Sequence, residues 1–135
     1  MTNKETVLAF INRINAHDVD RLVELMADEH CFIDAHGNQV RGKERMITGW
    51  RSYFNWFPVY AIEVNEIFES EGTLAMFGIA GSSLTGSSLK ERPEASWSLP
   101  AAWKAIVKDS RIMLWQVFAD TKIPFEIIER HGATK

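Results

Sequence analysis

Apolar residues recur with two different periods along this chain, and the change of period divides it. Near the N-terminus Val7, Phe10, Ile11 and Ile14 fall on one helical face. Thr2 and Glu5 stand ahead of them with the spacing of a capping box, in which hydroxyl and carboxylate each bond a free N–H at the helix start. Asn15-Ala16-His17-Asp18 interrupts the pattern. Asp18 is a suitable N-cap for a second helix that buries Val19, Leu22, Val23 and Met26, so the two form a helical hairpin. A third helix is predicted from about Lys43, where Met46, Ile47, Trp50, Tyr53, Phe54 and Phe57 make a helical stripe. Pro58 ends it, because the residue before a proline disfavours the helical region.

Between the second and third helices, the stretch 30–42 reads as a short strand that carries Asp34 into a turn at His36-Gly37-Asn38. Phe32 and Asp34 share one face of that strand, and Cys31 and Ile33 share the other. Beyond Pro58 the pattern alternates. Strands are predicted over 59–69 and 73–82, joined at Ser70-Glu71-Gly72, and over 95–108 and 111–120, joined at Asp109-Ser110. Segment 81–94 carries Gly-Ser-Ser-Leu twice and reads as a long hairpin loop, either a solvated connection or a flap over a pocket. Residues 123–135 form a C-terminal extension in which Phe125, Ile127 and Ile128 would pack a short piece. This order predicts one α+β domain over 1–135, with helices on one face of a bent antiparallel sheet.

Composition narrows the classes of partner. The 135 residues carry a formal net charge of -3, and their 15 basic residues form no stripe. Nucleic acid and anionic membrane are therefore not expected partners. A single cysteine, Cys31, excludes an internal disulfide and favours a reducing compartment. The apolar run 7–11 is too short for a signal peptide or a span, so a cytoplasmic protein is expected. Five tryptophans and eight phenylalanines are many for this length, and must line a core, a cavity or an interface.

Asp34 is the first candidate for a reactive group, although Asp before Ala-His-Gly-Asn is also ordinary turn chemistry. His30, Asp34 and His36 share strand parity, but at ~3.3 Å per residue His30 and Asp34 lie ~13 Å apart, too far for one metal ion. Cys31 has the opposite parity and reads as core; Asp120 reads as a structural or mouth residue at a strand end rather than a base.

Several motifs together resemble the SnoaL-like family of the nuclear transport factor 2 superfamily, which also holds ketosteroid isomerases and polyketide cyclases. They are Phe10-Ile-Asn-Arg-Ile-Asn-Ala-His-Asp18, Leu25-Met-Ala-Asp28, Phe32-Ile-Asp34, Gly42 and Trp115-Gln-Val-Phe-Ala-Asp120. Trp50-x-x-Tyr53-Phe54-x-x-Phe57-Pro58 and Ala101-Ala-Trp-Lys-Ala105 fit the same pattern. The resemblance covers nearly the whole chain and implies a cone-shaped, curved antiparallel sheet around a pocket, closed by the three N-terminal helices. It also implies a homodimer through the outer sheet face.

On that resemblance Asp34 falls where ketosteroid isomerases place a general base, and an apolar pocket would raise its pKa to suit proton transfer. The isomerases' two oxyanion donors would fall at Phe10 and at Ala101 or Ala102, none of which can donate, so steroid isomerisation by that route is not expected. The acid of polyketide cyclases sits on late strands, where this chain has Trp103 and Trp115. The pocket walls implied are Phe10, Ile14, Phe32, Trp50, Tyr53 and Phe54 from helices and a strand, and Met76, Gly78, Trp97, Trp115 and Val117 from the sheet. Tyr53 and His36 are the groups expected to assist Asp34.

The leading expectation is an isomerase, cyclase or dehydratase acting on a hydrophobic, cyclic small molecule without a cofactor. The alternative is a non-catalytic ligand-binding or accessory domain using the same cavity. A pure dimerisation module would need the pocket filled by its own tryptophans.

Overall fold

The computed structural model describes residues 1–83, 96–122 and 126. The predicted loop beyond residue 83 and the 123–135 extension, apart from Glu126, lie outside the described residues.

Helix α1 (Asn3–Asn15) starts on the expected capping box, with the Glu5 amide donating to Thr2 Oγ1 at 3.0 Å and the Thr2 amide donating to Glu5 Oε1 at 2.8 Å. Its buried face holds Val7, Phe10, Ile11 and Ile14. His17, at φ 56°, turns the chain. Asp18 then caps the short helix α2 (Val19–Glu24) by accepting from the Arg21 amide. The helix stops before Met26, which the apolar spacing had assigned to it. The Leu25 carbonyl instead accepts the Ile112 amide at 2.7 Å, and this long-range bond draws the chain into the sheet.

Strand β1 (Met26–Ile33) begins there, followed by a short β2 (Gln39–Arg41) that the sequence pattern did not predict. Helix α3 (Lys43–Trp56) follows Gly42, which sits at φ 96° and donates its amide to the His30 carbonyl. Two hairpins complete the chain: β3 (Ala61–Ser70) with β4 (Thr73–Ser83), and β5 (Ser96–Lys108) with β6 (Arg111–Ala119). Both turns with described geometry hold two consecutive residues at positive φ, Glu71-Gly72 and Asp109-Ser110. That geometry matches the twist of the strands they join.

The six strands form one curved, unclosed sheet in the order β2-β1-β6-β5-β4-β3. All neighbours are antiparallel except β1 and β6, which pair in parallel with Phe32 opposite Trp115. A parallel pair requires a long crossover, and here the whole of α3 and the meander supply it. The sheet bends at a bulge between Val64 and Glu66. Gly78 lies against that bulge so closely that a Cβ would overlap the Glu63 carbonyl oxygen. The helices pack into the concave face. Phe10, Ile14 and Leu22 meet Met76, Trp103, Ile112 and Trp115 in a fully buried core, the Phe10 and Trp115 rings being 4.8 Å apart. This is the cone fold expected of the sequence. No described helix is long and apolar enough to cross a membrane.

Candidate functional site: an aromatic cavity with a capped carboxylate

At one end of the cone the packing leaves a cavity of about 520 Å³. The sheet wall is built by strand parity. Phe32 and Trp115 are neighbours across β1 and β6, Val117 continues β6, and Ala80 and Leu99 are partners across β4 and β5 beside Trp97. Helix α3 supplies the opposite wall with Met46, Trp50, Tyr53 and Trp56. Phe57 and Tyr60 follow from the turn at Pro58, where the Tyr60 amide donates to the Phe57 carbonyl at 3.1 Å. This turn folds Tyr60 back beneath Tyr53, ring centroids 4.9 Å apart at 90°.

Among the described residues the polar groups on the lining are Asp34, His36, Arg45, Ser52, Thr121, the two phenols and the indole N–H groups of the tryptophans, of which those of Trp50 and Trp97 are buried without a partner. Asp34 stands just past β1. Its Oδ1 accepts the backbone amides of His36 and Asn38, each at 2.9 Å, and its Oδ2 accepts the Asn38 side-chain amide at 3.2 Å. Partial burial pushes the carboxyl up, but the bonds from Asn38 and His36 together outweigh it and hold the group below the usual carboxylate range. The expected rise in pKa is thus reversed, because the turn supplies donors that the strand pattern does not reveal. His36 Nε2 lies 2.8 Å from Thr121 Oγ1, which ties this turn to the end of β6. Burial pushes both phenols upward, with Tyr53 beside Tyr60 adding to the rise of Tyr60, so both remain protonated.

Of the residues named from the sequence, Asp34, His36, Tyr53, Phe32, Trp50, Trp97, Trp115 and Val117 line the cavity. Phe10, Ile14, Phe54 and Met76 do not. Phe10, Ile14 and Met76 are fully buried in the core, against other side chains. Phe54 faces α2 and stacks on His17, ring centroids 4.0 Å apart at 7°. Gly78 is spent on the bulge. His30 is buried with Nδ1 2.8 Å from the Ile112 carbonyl, away from Asp34. Among the described residues no cluster of His, Cys, Asp or Glu is placed to hold a metal ion. Of the isomerase donor positions, Phe10 and Ala101 are buried in the core, and Ala102 is in register with Phe77 and Phe118, away from the cavity. Tyr60, Leu99 and Thr121 were missed. Leu99 could have been found from its parity with Trp97, whereas Tyr60 depends on the turn after Pro58.

The SnoaL-like domain family model matches residues 7–115, and the chain belongs to this family. No curated protein matches the chain. Among solved structures it is similar to a candidate SnoaL-like polyketide cyclase from Shewanella denitrificans, with a TM-score of 0.79 at 12% identity, covering 96% of this chain and 98% of that one. It is also similar to an LEH-like epoxide hydrolase from M. tuberculosis, with a TM-score of 0.75 at 18% identity and coverage of 96% and 90%. A third is a protein of ketosteroid isomerase-like fold from Catenulispora acidiphila, in complex with trimethylamine, with a TM-score of 0.73, 15% identity and 84% of each chain covered. At these identities the likeness concerns the fold, which hosts unrelated activities.

Proposed function

We propose that this chain binds a hydrophobic, ring-containing small molecule in the aromatic cavity. The observation that carries this reading is the cavity itself: about 520 Å³, walled by aromatic rings from both the sheet and α3. That volume is in the range of drug-sized ligand sites, and a few placed polar groups are their usual complement. The cavity also counts against a pure dimerisation module, since the tryptophans line the space rather than fill it. The test is a thermal-shift screen with steroids, polyketide-like aromatics, terpenoids and β-keto acids. A ligand at 100 times its dissociation constant adds ~2.7 kcal/mol of stability. Stabilisation by one ring class supports the reading, and none across the panel counts against it.

A second reading, catalysis of the isomerase, cyclase or dehydratase type, is favoured by one feature of Asp34. Its Oδ1 is occupied by two backbone amides, whereas Oδ2 holds a single longer bond and belongs to a residue on the cavity wall. Oδ2 would take a proton from an activated carbon of the bound ring, with His36 and Tyr53 assisting. Turnover of a screening hit should then fall ~100-fold or more in Asp34→Asn, the usual scale for losing a general base. Equal turnover would clear Asp34 of the role.

Self-association through the outer sheet face belongs to the same proposal. Phe68, Phe77, Ile79 and Phe118 are large apolar residues exposed there, more than a solvated sheet face needs.

A further inference from the structure

We propose that Asn15 and His17, in the turn between α1 and α2, are positioning residues that clasp the two walls of the cavity and set the gap between them. The inference rests on the cavity being a small-molecule site, and adds what fixes its width from outside.

The turn is set by the way α1 ends. The His17 amide donates to the Ile14 carbonyl at 3.0 Å, and the Asp18 amide to the Arg13 carbonyl at 3.1 Å. This helix stop places a left-handed residue just past the cap, Ala16, where glycine is usual. The residue there is His17, at φ 56°. A side chain in that conformation costs backbone energy that glycine would not. The ring of His17 makes two contacts that glycine could not. Its Nε2 lies 2.7 Å from the Tyr60 carbonyl, which only accepts, so Nε2 carries the proton and donates. The ring face stacks on Phe54 of α3, centroids 4.0 Å apart at 7°.

Asn15 holds the other wall. Its Oδ1 accepts the Ile62 amide at 2.8 Å, and its Nδ2 donates to the Ile62 carbonyl at 2.9 Å. Because β3 is an edge strand, this side chain stands where the backbone of a further strand would. Ile62 is in register with Ala80, and Ala80 with Leu99; the latter two line the cavity. On the opposite wall Phe54 packs against Trp50, ring centroids 5.2 Å apart, and Trp50 lines the cavity. One short turn thus grips α3 by a ring and the sheet by a backbone pair. Tyr60, whose carbonyl it also holds, is on the lining. Walls kept at a fixed spacing spare a rigid ligand the cost of ordering them. Loosening the clasp lowers affinity by the fraction of molecules that lose the spacing.

The test compares wild type with Asn15→Ala, His17→Gly and His17→Gln, the last keeping an N–H donor without the ring. One readout is calorimetric titration with 2-naphthol. The other is hydrogen exchange of the Phe57 and Tyr60 amides, which bond the Tyr53 and Phe57 carbonyls and not the clasp. Asn15→Ala and His17→Gly should each weaken 2-naphthol binding about 5-fold and speed exchange at both amides by a similar factor, the scale of one lost hydrogen bond. His17→Gln should recover part of both losses. Exchange at Trp103 and Ala105, in the middle of β5, should stay as in wild type, which separates local loosening from loss of the fold. A role confined to ending α1 predicts no loss in His17→Gly, since glycine suits that φ. Variants that bind 2-naphthol as wild type does would therefore overturn the proposal and leave the cavity reading standing. Failure of wild type to bind would count against the cavity reading. Exchange at Phe57 and Tyr60 then decides the clasp by itself: faster exchange in the variants supports it, and equal exchange overturns it.

Discussion

Asp34 and Asn38 hold each other from both sides of one turn. The Asp34 amide donates to the Asn38 carbonyl at 3.0 Å, and the Asn38 amide donates to the Asp34 carboxylate at 2.9 Å. The same carboxylate is on the cavity wall. Whatever it does to a ligand, it does as an ionised group already committed to the backbone, and its structural and chemical roles are separable by substitution.

Asp34→Asn keeps a carbonyl oxygen where Oδ1 stands but gives up the charge and sets an NH2 group against the Asn38 side-chain donor, so it should lose part of the stability that Asp34→Ala loses. Asp34→Ala leaves the His36 and Asn38 amides without their acceptor and should cost about 1–2 kcal/mol at pH 7 in urea unfolding. The sign of the pH dependence follows from the lowered pKa. A carboxyl held below its unfolded value of about 3.9 stabilises fully above that value, and the contribution fades as pH falls through the folded pKa. The gap between wild type and Asp34→Ala should therefore narrow below about pH 4. A gap that is constant with pH would show that the charge does not hold the turn.

Two glycines should respond in opposite directions. A Cβ at Gly78 would overlap the Glu63 carbonyl at the bulge, and no flexible side chain is there to yield. Gly78→Ala should cost about 1–3 kcal/mol, the usual range for overpacking. Gly49 lies within α3 with open space around its Cβ direction. Gly49→Ala should gain about 0.5–1 kcal/mol from helix propensity. Because Gly49 is also on the cavity lining, the added methyl should weaken binding of the largest ligands while raising the melting temperature. Chemical denaturation of the two variants reads both signs.

These contrasts mark how far the chain could be read without its structure. The α3 stripe was legible because Met46, Trp50 and Phe54 repeat at helical spacing and Pro58 stops them. The hairpins were legible because Glu71-Gly72 and Asp109-Ser110 are residues that accept or tolerate positive φ. The parallel pairing of β1 with β6 was not, since it depends on a bond between Leu25 and Ile112 that no local pattern records. Periodicity also reports only that a side chain is covered, not by what. Phe10 and Met76 are covered by protein, whereas Trp97 and Trp115 face both protein and the cavity. Alternation put Asp34 on the face of Phe32, and both line the cavity, yet the direction of its pKa was set by amides in the turn.

The outer sheet face yields a test of assembly. Phe77 and Phe118 are 44% and 49% exposed, and both are in register with Ala102 between them. Phe68 leans on Phe77 with ring centroids 6.2 Å apart. Sedimentation of wild type at micromolar concentration should give a dimer, and Phe77→Glu combined with Phe118→Glu should give a folded monomer. A wild-type monomer would remove the proposal. A dimer indifferent to both substitutions would move the interface elsewhere.

His30 gives the fold a second and separate dependence on pH. Its ring is fully buried, Nδ1 faces the Ile112 carbonyl at 2.8 Å, and Nε2 has no partner among the described residues. A carbonyl only accepts, so Nδ1 carries the proton and Nε2 is bare at neutral pH. Protonating Nε2 would put an unpaired N–H into a core where the Phe10 ring is 6.2 Å away. Burial accordingly pushes the pKa down, opposed in part by the bond to Ile112. The unfolded chain then binds more protons than the folded one as pH drops below about 6.5, and stability falls with it, at most ~1.4 kcal/mol per pH unit. This window opens well above that of Asp34. In His30→Asn an amide N–H can still reach the Ile112 carbonyl, but nothing titrates. The variant should be less stable at pH 7, yet lose less than wild type between pH 7 and about 5.5 in calorimetric melts. Parallel pH profiles for the two proteins would mean that His30 takes up no proton on unfolding in this range, and would contradict the buried, neutral ring.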